Sequence, residues 1–117
     1  MIINQRDRIY LVHMLDSIEK IESYLQIISQ EEFYQSTQLQ DAVIRRLEII
    51  GEAANKVSRE FQQRHTTIPW SMIISMRNML IHEYFGVDLD IVWDTYVYNI
   101  PELKKNLVCL LNERQIE

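Results

Sequence analysis

Pro69-Trp70-Ser71-Met72-Ile73-Ile74-Ser75-Met76-Arg77-Asn78-Met79-Leu80-Ile81-His82-Glu83-Tyr84-Phe85-Gly86 reads as one helix and its exit. Proline suits the first helical turn, where its missing N–H would go unpaired anyway. Trp70, Ile73, Ile74, Met76 and Leu80 supply a buried side, and Gly86 is the expected stop. Set into this apolar run are an arginine, a histidine and a tyrosine, which must either find partners or face a functional surface. Arginine is a fixed cation that can grip a phosphate with two hydrogen bonds. Histidine exchanges protons near neutral pH. Five positions apart on a helix, Arg77 and His82 diverge by about 140°. Asn78 and His82, four apart, are neighbours. Arg77 and Tyr84 would line up if the helix ran on to Tyr84. This geometry favours a site completed by a second copy of the chain.

Outward from this run the same helical period continues. Leu11, Met14, Ile18, Ile21, Leu25 and Ile28 form one stripe, predicting a first helix over about 6–28. Ser29-Gln30-Glu31-Glu32 matches a capping box opening a short turn through Phe33 and Tyr34. Leu39, Val43, Leu47, Ile50, Ala54, Val57 and Phe61 predict a second long helix over about 37–63. Gly51 thins its middle at a cost of ~1 kcal/mol against alanine, which points to close approach of another helix. Asp88-Leu89-Asp90 starts a further helix. Asn99-Ile100-Pro101 reads as a second cap, so a bent or broken pair is expected over 89–98 and 100–114.

The 117 residues predict a single domain, 1–117. With 47% hydrophobic and 25% charged residues the balance is that of a soluble protein, and two Gly and two Pro are too few for a turn-rich all-β fold. The expected class is all-α: an antiparallel bundle of four to five main helices. No apolar run approaches the ~18 residues of a membrane span, and the N-terminus turns polar at once, so a cytoplasmic protein is expected. One cysteine, Cys109, excludes an internal disulfide. His13, His65 and His82 lack ligand spacing, so neither a metal nor another cofactor is expected. The net charge of −5 is uneven. Residues 1–41 hold three cations against seven carboxylates, whereas residues 42–82 hold six against three. A small phosphate-contacting patch fits this distribution, and a broad nucleic-acid coat does not.

Arg77-x4-His82, with Asn78 after the arginine and Tyr84 two after the histidine, resembles the HEPN superfamily and, more narrowly, the HepT toxins of HEPN/MNT toxin–antitoxin modules. The flanking text agrees: Arg46-Leu47-Glu48-Ile49-Ile50-Gly51-Glu52-Ala53 upstream, Ile68-Pro69-Trp70 before the motif, and Ile91-Val92-Trp93 with Ile100-Pro101-Glu102-Leu103 after it. The resemblance implies a dimeric, metal-independent endoribonuclease acting on tRNA or mRNA through 2′-OH attack. Arg77 and His82 would be catalytic and Asn78 supporting. It also implies a cognate minimal nucleotidyltransferase antitoxin that transfers AMP from ATP to Tyr84. No Gly-rich phosphate loop is present, so this chain is not that transferase. The alternative is a non-catalytic HEPN subunit that binds nucleotide or RNA for a nucleotidyltransferase. Taken singly, Arg77 reads as a surface ion-pair residue, His82 as a helix C-terminal cation and Tyr84 as packing. Their joint occurrence in this context carries the functional reading.

Overall fold

A computed structural model describes residues 3–83 and 86–116, with side chains to residue 112. Among these residues the chain is helical with no strand. The helices are α1 (Gln5–Leu25), α2 (Gln30–Gln35), α3 (Thr37–Lys56), α4 (Arg59–Arg64), α5 (Trp70–His82), α6 (Leu89–Asp94) and α7 (Ile100–Ile116), with a π-helical turn at Thr95–Asn99 between the last two.

The stripe on α1 is the centre of the core: Leu11, Met14, Ile18 and Ile21 are fully buried. α1 packs antiparallel on α3, α3 on α5, and α7 returns against α1. The capping box forms as expected. Ser29 Oγ accepts from the Glu32 N–H at 3.1 Å and Glu32 Oε1 accepts from the Ser29 N–H at 2.9 Å. The Glu32 carboxyl is held below its ordinary range mainly by that backbone bond. α2 drives Phe33 into the core against Trp93, ring centroids 5.5 Å apart.

Several boundaries differ from the sequence expectation, and α1 ends at Leu25 instead of about 28. The helix expected over 37–63 breaks at Val57–Ser58. Ser58 caps α4 through Phe61, and its N–H and hydroxyl donate to the buried Asp7 carboxylate at 2.8 and 2.7 Å. This link ties the start of α1 to the end of α3, and the apolar period runs on undisturbed across it. Around Pro101 the expected pair is present as α6, the π turn and α7, and only the cap reading of Asn99 differs. The chain is helical from Leu89 to Ile116, and Asn99 sits within the π turn rather than at a helix start. The Ile100 N–H reaches back five residues to the Thr95 carbonyl. This wide turn lies just before Pro101, which lacks an N–H and whose ring would crowd the carbonyl four residues earlier in an ordinary helix. The run passes through a bulge without breaking.

Candidate active site

α5 is held at both ends. Trp70, buried at its start, donates from Nε1 to the His65 carbonyl at 2.9 Å. At the other end the Glu83 N–H closes onto the Met79 carbonyl, so the helix ends at His82, before the expected Gly86. Tyr84 lies outside the described residues.

Arg77 points toward α3, and its stem lies over Gly51. A Cβ added at Gly51 would fall 2.2 Å from Arg77 Cβ and 2.8 Å from its Cγ. This is the close helix approach that the glycine pointed to. The stem buries Nε, which has no hydrogen-bond partner. At the outer end Nη1 donates to Asn78 Oδ1 at 2.8 Å. Asn78 thus holds one outer nitrogen of Arg77, a contact its expected supporting role did not specify. Two other cations of the basic middle are paired, Arg45 with Glu48 and Glu52 and Arg64 with Glu60. Among the described residues no carboxylate pairs with Arg77. A desolvated guanidinium N–H without an acceptor is costly, and with Nε covered only the outer nitrogens can meet an anion.

His82 is exposed on the last turn of α5. No hydrogen bond joins it to Arg77 among the described residues. The two residues lie on different sides of α5, as their spacing requires. The exposed Asn78 and Ile81 occupy the sector between them. His13 and His65 belong to other surroundings. His13 meets Tyr10 edge-on at 6.2 Å, and His65 stacks on Phe61 at 4.2 Å.

On the remaining side of α5 a groove of about 640 Å³ opens toward α6 and α7. Its walls include Met72, Met76 and Met79 of α5, with Ile91, Thr95 and Leu103 opposite. Met72 is 62% exposed. Sequence reasoning assigned Met76 to the buried side and did not anticipate the groove. The signal available was three methionines at spacings of four and three. No helix among the described residues is long and apolar enough to cross a membrane.

A family model described as ribonuclease HepT-like matches residues 14–110. A Methanocaldococcus jannaschii protein, named as a gamma-glutamylcyclotransferase joined to a candidate RNase, is 45% identical over 91% of this chain, which spans 48% of that relative. A candidate RNase of Caldanaerobacter subterraneus subsp. tengcongensis is 42% identical over 92% of the chain and 96% of its own length. A Thermococcus cleftensis protein named "Probable ribonuclease HepT" is 44% identical over 81% of the chain and 86% of its own length. The chain thus spans about half of the first relative and most of the other two. No solved structure gives a significant match.

Proposed function

The chain belongs to the HepT-like ribonuclease family of the HEPN superfamily, and from that premise we propose that residues 1–117 form one HEPN unit that cuts RNA at Arg77 and His82. The supporting observation is Arg77 itself. It is a cation with no carboxylate partner among the described residues and with an orphan buried Nε, held by Asn78 on the same helix as an exposed imidazole.

In the proposed reaction the ribose 2′ oxygen attacks the adjacent phosphorus. The O2′–P bond forms and the P–O5′ bond breaks. His82 takes the 2′ proton or delivers one to the departing 5′ oxygen. Arg77 balances the charge that builds on the phosphoryl oxygens. The products are a 2′,3′-cyclic phosphate and a 5′-hydroxyl, and DNA is left intact. Because Arg77 and His82 diverge on α5, the site is completed in a homodimer, where one chain's arginine meets its partner's imidazole. The methionine groove is the apolar surface we assign to the second copy. An AMP group placed on Tyr84 by a partner nucleotidyltransferase would bring phosphate and a base beside this cleft and block it. On this reading the chain is the toxin of a two-gene, cytoplasmic module.

The test is incubation of the purified chain with total RNA in EDTA, beside His82→Ala. Cleavage by the wild type alone, leaving cyclic phosphate ends, supports the enzyme. Intact RNA with both proteins supports instead the accessory subunit that binds nucleotide or RNA for its transferase.

A further inference from the structure

We propose that Gly51, on α3, is a positioning residue for Arg77, an inference that rests on the ribonuclease reading above. A glycine within a helix costs about 1 kcal/mol against alanine, and here the backbone gives no reason for it. No glycine among the described residues has positive φ, and Gly51 lies inside α3, five residues before its last. What Gly51 provides is room. The atoms that a side chain would strike are Arg77 Cβ and Cγ, at 2.2 and 2.8 Å, followed by the Ile73 carbonyl oxygen at 3.2 Å. These are the root of the arginine and the backbone of its helix, not a mobile tip. Carbon atoms rest at about 3.5–4.0 Å, so any side chain at residue 51 moves Arg77 by roughly 1 Å or more.

The consequence lies at the other end of the side chain. With its stem laid on α3 and its Nε covered, the guanidinium can present only its outer nitrogens, one of them held by Asn78. Gly51 therefore sets both the reach of Arg77 and which edge of it meets a phosphate. A displacement of about 1 Å at a reacting group can cost about a hundredfold in rate. The loss should fall on kcat more than on KM, because Arg77 acts on charge that develops during reaction. The proton-transfer limb of the pH–rate profile, which belongs to His82, should not move.

The experiment compares wild type, Gly51→Ala and Val43→Ala, the last a core truncation two turns earlier on α3. RNA cleavage is read as kcat, KM and pH profile. The Arg77 Nε–H resonance, assigned by its loss in Arg77→Lys, is read by heteronuclear NMR. We expect Gly51→Ala to lose about a hundredfold in kcat and to shift or broaden the Nε–H signal. Val43→Ala should lower the melting temperature while keeping both. An unchanged rate and an unchanged resonance in Gly51→Ala overturn the proposal, as does an equal loss of kcat in Val43→Ala. If the wild type cuts no RNA, the ribonuclease reading falls, and the resonance alone still decides whether Gly51 positions Arg77. If Gly51→Ala does not fold, Gly51→Ala/Arg77→Gly reopens the space. Recovery of folding in that pair supports the contact, and continued failure overturns it.

Discussion

Replacing Asp7 by alanine removes the acceptor that ties the start of α1 to the break between α3 and α4. Asp7 is 3% exposed. Its two oxygens receive the Ser58 N–H at 2.8 Å, the Ser58 hydroxyl at 2.7 Å and the Asn4 side-chain amide at 3.2 Å. The bond from its own N–H to Asn4 Oδ1 belongs to the backbone and survives the substitution. What is lost is two short bonds to an ionised acceptor, each worth about 1.5–3 kcal/mol net. Against this stands the relief of no longer burying a carboxylate. The balance is a loss of about 3 kcal/mol in Asp7→Ala. For a chain of this length that is roughly a 12 °C fall in melting temperature.

Asp7→Asn keeps one carbonyl oxygen for the Ser58 N–H. The other position becomes a donor facing a hydroxyl that must turn round. Its expected cost is about 1–1.5 kcal/mol. Urea unfolding at one fixed protein concentration measures both, since association would otherwise shift the midpoints. Adding Ser58→Ala completes a cycle whose coupling energy should be about 1–2 kcal/mol. A cost below about 1 kcal/mol for Asp7→Ala, or equal costs for the alanine and asparagine variants, would refute the assignment of these bonds as the tie.

Arg77→Lys keeps the charge and loses the planar fork; it should cut RNA at least about a hundredfold more slowly than wild type with an unchanged circular dichroism spectrum. Mixed refolding of Arg77→Ala with His82→Ala tests the shared cleft. If each site takes its arginine and histidine from different chains, half of the dimers regain one site, giving about a quarter of wild-type cleavage; no recovery places both residues within one chain. The third prediction is alkaline. Lys104 is raised above the ordinary lysine range chiefly by its hydrogen bond to Glu22, and Tyr34 above the tyrosine range chiefly by donating to Asp90. Both favour the fold while protonated, so that support is whole below about pH 10 and drains as pH climbs through the raised folded values. Melting curves between about pH 8 and 11.5 should decline less steeply in Lys104→Met and Tyr34→Phe than in wild type; a steeper decline reverses the sign.

The helices were legible because each buries one continuous stripe, and the positions expected inside on α1 are buried from Leu11 to Leu25. The breaks were less legible for a physical reason. Apolar period reports which face is buried, and Val57 and Phe61 stay on the buried face on both sides of Ser58. What ends α3 is a polar bond to Asp7, 51 residues earlier in the chain, and no local pattern records it. Pro101 was read as a helix start, where it is well tolerated. The chain solved the same steric problem with a wider turn, which sequence does not distinguish from a cap. At the candidate site, residue types and spacing placed Arg77 and His82 on different sides of one helix. The environment of Arg77 was visible only as an unexplained glycine.

The three sides of α5 divide the work in a way that bears on the proposed assembly. Its α3 side is closed: Leu80 is fully buried and Arg77 is laid over Gly51. Its groove side is apolar, lined by three methionines, with Met72 left 62% exposed. Between them lies the open sector with Asn78, Ile81 and His82. A monomer gains nothing from leaving those methionines in water, and flexible thioethers adapt well to a partner surface. Within one α5, Arg77 and His82 lie on different sides of the helix. A second copy that covers the groove and extends across the open sector toward Arg77 would bury the apolar side and supply a second imidazole there in one step. Apolar burial and completion of the site would then be the same event. The concentration at which RNA cleavage appears should therefore match the concentration at which the dimer forms.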